Sequence, residues 1–169
     1  MEKSRFSAVD VDDDFITKIS QNRHIAIRLE NPKFYWNDSI ALWIVMLPMG
    51  SIDPKFYVFD KSLEWISTFE YSKQNDYKEN ENYIFVFNIY QNRDSINKGY
   101  GSACMIFLKE LCSKESINRI DTAVSHDRSD ENPEEDWKRR LHYFKKNGFE
   151  SCREVIFPAG LPMRWEMLG

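Results

Sequence analysis

Hydrophobic and polar positions divide the chain into a strand-like middle flanked by helix-like segments. Residues 6–9 read as a short first strand, and Asp12-Asp13-Asp14 ahead of Phe15, Ile16 and Ile19 read as the acidic first turn of an amphipathic helix. Residues 24–29 alternate weakly, Asn31-Pro32 breaks the chain, and a substrate-side loop is expected there. Between Phe34 and Tyr90 lie 15 of the chain's 25 aromatic residues, with many Ile and Val and a single glycine, which is strand composition. Strands are expected over 40–47, 56–60, 63–72 and 83–90, mostly antiparallel, with 74–82 as a polar hairpin loop. Nearly every position of 83–90 is apolar, so this segment is expected to be buried on both faces and hence central.

Directly after that strand comes Ile96-Asn97-Lys98-Gly99-Tyr100-Gly101-Ser102, then an apolar helical run over 103–112. Two glycines one residue apart let the backbone bend and bring its N–H groups up to a ligand, and the helix that follows aims its positive end at the same place. The pattern describes an anion cradle; a plain strand-to-helix turn is the alternative. A bulky side chain at Gly101 is expected to block such a ligand while sparing the fold.

Further on, 117–124 reads as another strand and 127–136 as a loop with six acidic residues. Asn132 is placed to cap a helix, Pro133 to begin it, Glu135 to complete a capping box and Gly148 to stop it. Trp137, Leu141 and Phe144 form its inward stripe. Its acidic start and its later Lys138, Arg139, Arg140, Lys145 and Lys146 complement the helix dipole, or alternatively frame a substrate entrance. Segments 149–158 and 163–167 read as closing strands.

With 169 residues, 42% of them hydrophobic, one domain over 1–169 is expected. A net charge of -4 argues against a general nucleic-acid or membrane binder. Cys104, Cys112 and Cys152 form no CxxC pair, which fits reduced, cytoplasmic usage. No signal peptide and no membrane span is expected, since the longest apolar run, 40–49, is short and broken by Pro48. Three consecutive aspartates on a helix point in different directions, so no metal site is expected at Asp12 to Asp14.

Lys98-Gly99-Tyr100-Gly101-Ser102 after the central strand resembles the pyrophosphate loop of the GNAT superfamily of N-acetyltransferases. Leu141-His142-Tyr143-Phe144-Lys145-Lys146-Asn147-Gly148-Phe149 is similar to that superfamily's helix ending. The resemblance implies an α+β (α/β) fold, the GNAT fold, with a mixed, mostly antiparallel central sheet of about six to seven strands and helices on both faces. It implies acetyl-coenzyme A as cosubstrate, no metal, and direct transfer of the acetyl group to an amine. On this basis Ile89, Tyr90 and Gln91 offer backbone hydrogen bonds to the pantetheine, and Asn97, Lys98, Gly99, Tyr100, Gly101 and Ser102 hold the pyrophosphate.

Three positions depart from the superfamily pattern: Ile96 replaces an Arg or Gln, Trp137 an asparagine, and Phe144 the tyrosine that usually serves as general acid. Tyr143 is the neighbouring hydroxyl, although it points about 100° away on a helix. For the base, His126 and Glu70 are the candidates, with His142 less suited. A more distant similarity, carried by Met163-Arg164-Trp165, is to the phage-encoded anti-CRISPR acetyltransferase. The expected function is acetyl-coenzyme A-dependent N-acetylation of a primary amine: a protein or peptide lysine or N-terminus, or a small cationic amine. The alternative is a catalytically degenerate fold acting through protein interaction. Amine substrates, a protein among them, are the expected partners, with a homodimer left open and neither membrane nor nucleic acid expected.

Overall fold

Alternation along the middle strands sends successive side chains into two separate cores, and this sets the layers of the protein. The computed structural model describes residues 5–25, 29–50, 53–95, 98–125, 132–152 and 160–167. In chain order the elements are β1 (Ser7–Ala8), α1 (Asp13–Ser20), β2 (Lys33–Asn37), β3 (Leu42–Met46), β4 (Lys55–Asp60), β5 (Trp65–Asp76) and β6 (Glu81–Gln91). There follow a short 3-10 turn at Arg93–Ser95, α2 (Tyr100–Lys114), β7 (Arg119–Val124), α3 (Pro133–Lys146), β8 (Glu150–Ser151) and β9 (Leu161–Glu166). The strands form one sheet in the order β1-β2-β3-β4-β5-β6-β7-β9-β8. Every neighbouring pair is antiparallel except β6 and β7. A parallel pair needs a crossover, and α2 supplies it.

On one face, Tyr35, Ile44, Phe56, Val58 and Phe69 pack with Met105, Phe107 and Leu108 of α2 and Phe144 of α3. On the other, Phe34, Val45, Tyr57 and Phe59 pack with Ile19 of α1. The α+β arrangement with helices on both faces is therefore present, built on nine strands among the described residues, two of them only two residues long.

Four expectations need correction. First, β2 precedes the expected strand at 40–47: it ends at Asn37, whose side-chain oxygen accepts from Ser39 N and Ile40 N and so makes the turn into β3. Second, the hairpin expected to loop over 74–82 stays paired through Gln74–Tyr83, Asn75–Asn82 and Asp76–Glu81. Arg119 holds that polar tip by facing Asp76 at 3.0 Å and Glu81 at 3.6 Å. Third, β6 is central, but past Val86 it is not buried on both faces. Fourth, within the expected closing strand at 149–158, only Glu150–Ser151 is strand among the described residues.

Helix α3 begins at Pro133 with Asn132 as cap, although the Asn132 side chain makes no capping bond. Its end follows the expected stop closely. Gly148 takes φ 87°, Phe149 N donates to Phe144 O at 3.0 Å, and the Phe144 and Phe149 rings meet edge to face 5.1 Å apart. Phe144 thus locks the helix end into the core.

The Met163-Arg164-Trp165 run has a structural role in β9. Met163 is fully buried and Arg164 reaches across to Asp121 of β7. Lys109 lies over the Trp165 ring. Asp121, 1% exposed, also faces Arg119, so one buried carboxylate joins two guanidiniums. Burial works against the charge on both arginines, and the surrounding carboxylates outweigh it and hold them above the usual value. All three cysteines are free. No helix among the described residues is long and apolar enough to cross a membrane.

Candidate active site

The two edges of β6 differ. Along one, pairing with β5 runs from Glu81 to Gln91. Along the other, pairing with β7 covers only Ile84, Phe85 and Val86. At the same point Glu70 pairs with Asn88 but Tyr71 with Val86, which leaves Phe87 as an extra residue in β6. Such a bulge bends and twists its strand, and here it coincides with the parting of β6 from β7. Thr122 Oγ1 donates to Val86 O at 3.0 Å at the last shared position, and Trp137 Nε1 donates to Val124 O at 3.3 Å at the end of the β7 arm. From Phe87 to Gln91, alternate residues of an antiparallel strand turn their backbone groups toward the opened edge, where no strand among the described residues receives them. Phe87 and Tyr90 are half exposed, unlike the rest of the large apolar side chains of this strand.

Helix α2 begins at Tyr100, nine residues on from the end of β6 at Gln91. Gly99 caps the helix at φ 77°, and a Cβ placed there would meet nothing within 4 Å, so the left-handed backbone and not crowding calls for glycine. Among the described residues no side chain caps the helix, and its first turn carries no carboxylate. The amides of Tyr100, Gly101 and Ser102 therefore lack helical partners and face outward with the positive end of a 15-residue helix. Lys98 is exposed beside them.

Gly101 has a different role. A Cβ there would lie 3.0 Å from Cε2 of Tyr143, whose hydroxyl donates to Gly101 O at 2.8 Å. Asn147 Nδ2 lies 3.5 Å from Ser102 Oγ, and Lys109 of α2 donates to Asn147 O. Helix α3 is thus latched onto the first turn of α2. Burial, with the Cys104 thiol second, pushes the Tyr143 phenol well above its ordinary value, so it stays protonated and keeps donating. A bulky residue at Gly101 would strike this latch, contrary to the expectation that it would spare the fold.

On the α1 face of the sheet, next to the opened stretch of β6, lies an open pocket of about 250 Å³. β4 contributes Lys55 and Tyr57, β5 contributes Trp65, Thr68 and Glu70, β6 contributes Tyr90, and His24 closes one side. Cross-strand register explains the grouping, because Lys55 pairs with Glu70, Tyr57 with Thr68, and Thr68 with Tyr90. Lys55 Nζ sits 2.8 Å from Asp53 and 3.6 Å from Glu70. Burial opposes its charge, but the Asp53 hydrogen bond and neighbouring charges prevail and raise its pKa. The Tyr90 phenol is raised by burial first and then by Glu70. His24 stacks on Trp65 with ring centres 4.1 Å apart, and burial followed by the Arg23 charge lowers its pKa.

No protein-family model matches the sequence, and neither does any curated protein. Solved structures do share the fold. The PaiA N-acetyltransferase from Thermoplasma acidophilum in complex with coenzyme A is 15% identical over 66% of this chain, with a TM-score of 0.50, and the match spans 59% of its own length. The IAA acetyltransferase from Bacillus cereus is 11% identical over 75% of this chain and 99% of its own, with a TM-score of 0.53. The chain has the fold of the GNAT N-acetyltransferases. At these identities the likeness concerns the fold alone.

Within this GNAT-type fold, Ile89, Tyr90 and Gln91 lie on the opened stretch of β6, and Lys98, Gly99, Tyr100, Gly101 and Ser102 form the loop and first turn of α2. Asn97, Ile96 and His126 lie outside the described residues. Glu70 lines the pocket, Tyr143 lies in the latch, and His142 is exposed on α3. Sequence reasoning missed Lys55, Tyr57, Trp65 and Thr68. The usable signal was alternation: Lys55 and Tyr57 are two apart on one strand and so share a face.

Tyr143→Phe distinguishes a latch from a general acid. As a latch it should cost about 1 kcal/mol of stability and a few-fold in coenzyme A affinity, with kcat changed less. An acid would instead show kcat down by ~10²–10⁴ at unchanged affinity. Urea melts, calorimetry and steady-state kinetics on the one variant separate the two outcomes.

Proposed function

We propose that the protein is an acetyl-coenzyme A-dependent N-acetyltransferase that moves an acetyl group directly to a primary amine. The observation that supports this best is the opened edge of β6 leading into a glycine-capped helix start. An extended chain of amides and a terminal pyrophosphate would find hydrogen-bonding partners along that path in the right order. Backbone groups of Ile89, Tyr90 and Gln91 would hold the pantetheine, and Lys98 to Ser102, joined by Asn97, the pyrophosphate. Bound there, the cosubstrate would supply an acetyl thioester. Glu70, one strand from the bulge, would orient the incoming amine and accept its proton.

A thiol-release assay with a panel of primary amines, run alongside calorimetry with acetyl-coenzyme A, tests the reading. Release above buffer with at least one amine is expected. A second reading, a degenerate fold used as a protein-binding module, draws on Phe144, which has no hydroxyl to donate from, and on Tyr143, whose hydroxyl is engaged by Gly101 O. It predicts no cofactor binding in the calorimeter, whereas binding without release from any amine would sink the enzyme reading alone.

A further inference from the structure

Resting on the acetyltransferase reading, with Glu70 as the group that accepts the amine proton, we infer that Lys55 is a positioning residue. Tied to Asp53, its ammonium steers the Glu70 carboxylate without taking up the oxygen that the proton needs. Packing alone does not call for a lysine here. Lys55 opens β4, whose first five residues are all buried, and is itself 8% exposed. An ammonium in such a place gives up most of its water, and an apolar residue of similar size would serve the strand as well. What Lys55 meets is therefore the informative part.

Distance separates its two partners. Lys55 Nζ lies 2.8 Å from Asp53, the length of a charge-assisted hydrogen bond, and 3.6 Å from Glu70, which is attraction without such a bond. A plain staple between β4 and β5 would bond Glu70, which is the direct partner in register and whose side chain is 23% exposed, and leave Asp53, 53% exposed, to water. The arrangement is the reverse. Asp53 holds the ammonium back, its charge steers Glu70, and the Glu70 oxygens keep their capacity to accept. Burial opposes the charge on Lys55, but the Asp53 bond and the neighbouring charges outweigh it, so the ammonium persists. Arg23 is engaged at another wall, where its Nε donates to His24 Nε2 at 3.3 Å and His24 stacks on Trp65. Tyr90 shares the pocket with Glu70 and belongs to the opened stretch of β6, so Glu70 is held beside the proposed cofactor path.

The test is a double-mutant cycle in kcat, run with the best amine of the thiol-release panel. Lys55→Met should lower kcat about tenfold, part of the ~10²–10⁴-fold that a placed base contributes, with acetyl-coenzyme A affinity unchanged. Lys55→Arg, which keeps the charge, should recover most of the loss. In a Glu70→Gln background Lys55→Met should cost less than about twofold more, because it acts through the missing carboxylate. Side-chain relaxation of Glu70, assigned through Glu70→Gln, needs no turnover. It should show a rigid side chain in the wild type and in Lys55→Arg, and a loosened one in Lys55→Met. If Lys55→Met does not fold, Asp53→Asn carries the test, since exposed pairs contribute little to stability. There Lys55 should close on Glu70 and take up its oxygen, lowering kcat severalfold while Glu70 stays rigid; an unchanged kcat would overturn the inference. Additive losses in the cycle, or a Glu70 side chain as rigid without Lys55 as with it, would overturn it too and leave the acetyltransferase reading standing. Loosening of Glu70 in Lys55→Met with no thiol release from the wild type would support the positioning and count against the transferase reading.

Discussion

Gly101→Val is expected to remove measurable acetyl-coenzyme A binding and to lower stability by about 1–3 kcal/mol, the usual cost of forcing extra bulk into a packed site. Both losses come from one place. The first Cβ atom would already stand 3.0 Å from the Tyr143 ring, and that ring is held by its hydroxyl bond to the carbonyl of Gly101 itself. It cannot swing aside without releasing α3 from the first turn of α2. Valine's methyl groups would also stand over the amides of Tyr100 to Ser102, where the phosphates would approach. A double-mutant cycle with Tyr143→Ala separates the effects: the stability terms should couple by about 1 kcal/mol or more, because the clash vanishes with the ring, while affinity stays lost. If the single variant is folded and binds as the wild type does, the phosphates do not lie on this turn.

The second large effect is structural. Asp121→Asn is expected to destabilise the protein by about 3 kcal/mol in urea denaturation, because it leaves buried guanidiniums without their shared counter-charge. Arg119 Nη2 is 3.0 Å and Arg164 Nε 2.9 Å from the Asp121 carboxylate. The loss should fall at the low end of the range for broken buried pairs, since Arg119 keeps Asp76 and Glu81 and Arg164 keeps Glu166. Because Asp121 pairs with Arg164 in register between β7 and β9 and lies opposite Phe85 of β6, the substitution loosens the rigid arm of the fork. Cofactor affinity measured well below the unfolding transition should change little. A loss under 1 kcal/mol would mean that the cluster is solvated and does not hold the arm.

Features written in consecutive residues were the legible ones. The start at Pro133 and the stop at Gly148 depend on local backbone chemistry, and both are where the pattern of Asn132-Pro133 and Asn147-Gly148 puts them. The glycine-capped start of α2 after a central strand was readable for the same reason. Partners brought together by the fold were not. Tyr143 looked like an amphipathic residue or a displaced acid because nothing local shows that α3 comes within hydrogen-bonding reach of Gly101. The length of the β5–β6 hairpin was hidden because its polar tip is held by Arg119, more than 40 residues from Asp76. The pocket was hidden by register: Lys55, Glu70 and Tyr90 meet only once three strands are aligned, and the bulge at Phe87 changes which residues of β6 face them. A run of eight nearly apolar residues suggested burial throughout, while the parting of β6 from β7 leaves Phe87 and Tyr90 half exposed.

The central claim is that acetyl-coenzyme A lies along the opened edge of β6 with its phosphates on the start of α2. Titrating isotope-labelled protein with coenzyme A and following backbone amide resonances tests it directly. The account predicts that the largest shifts fall on Gly99 to Ser102 and on Phe87 to Gln91, with the paired stretch of β6 before Val86 nearly still. Saturating shifts confined to other surfaces, or none at millimolar coenzyme A, would contradict it.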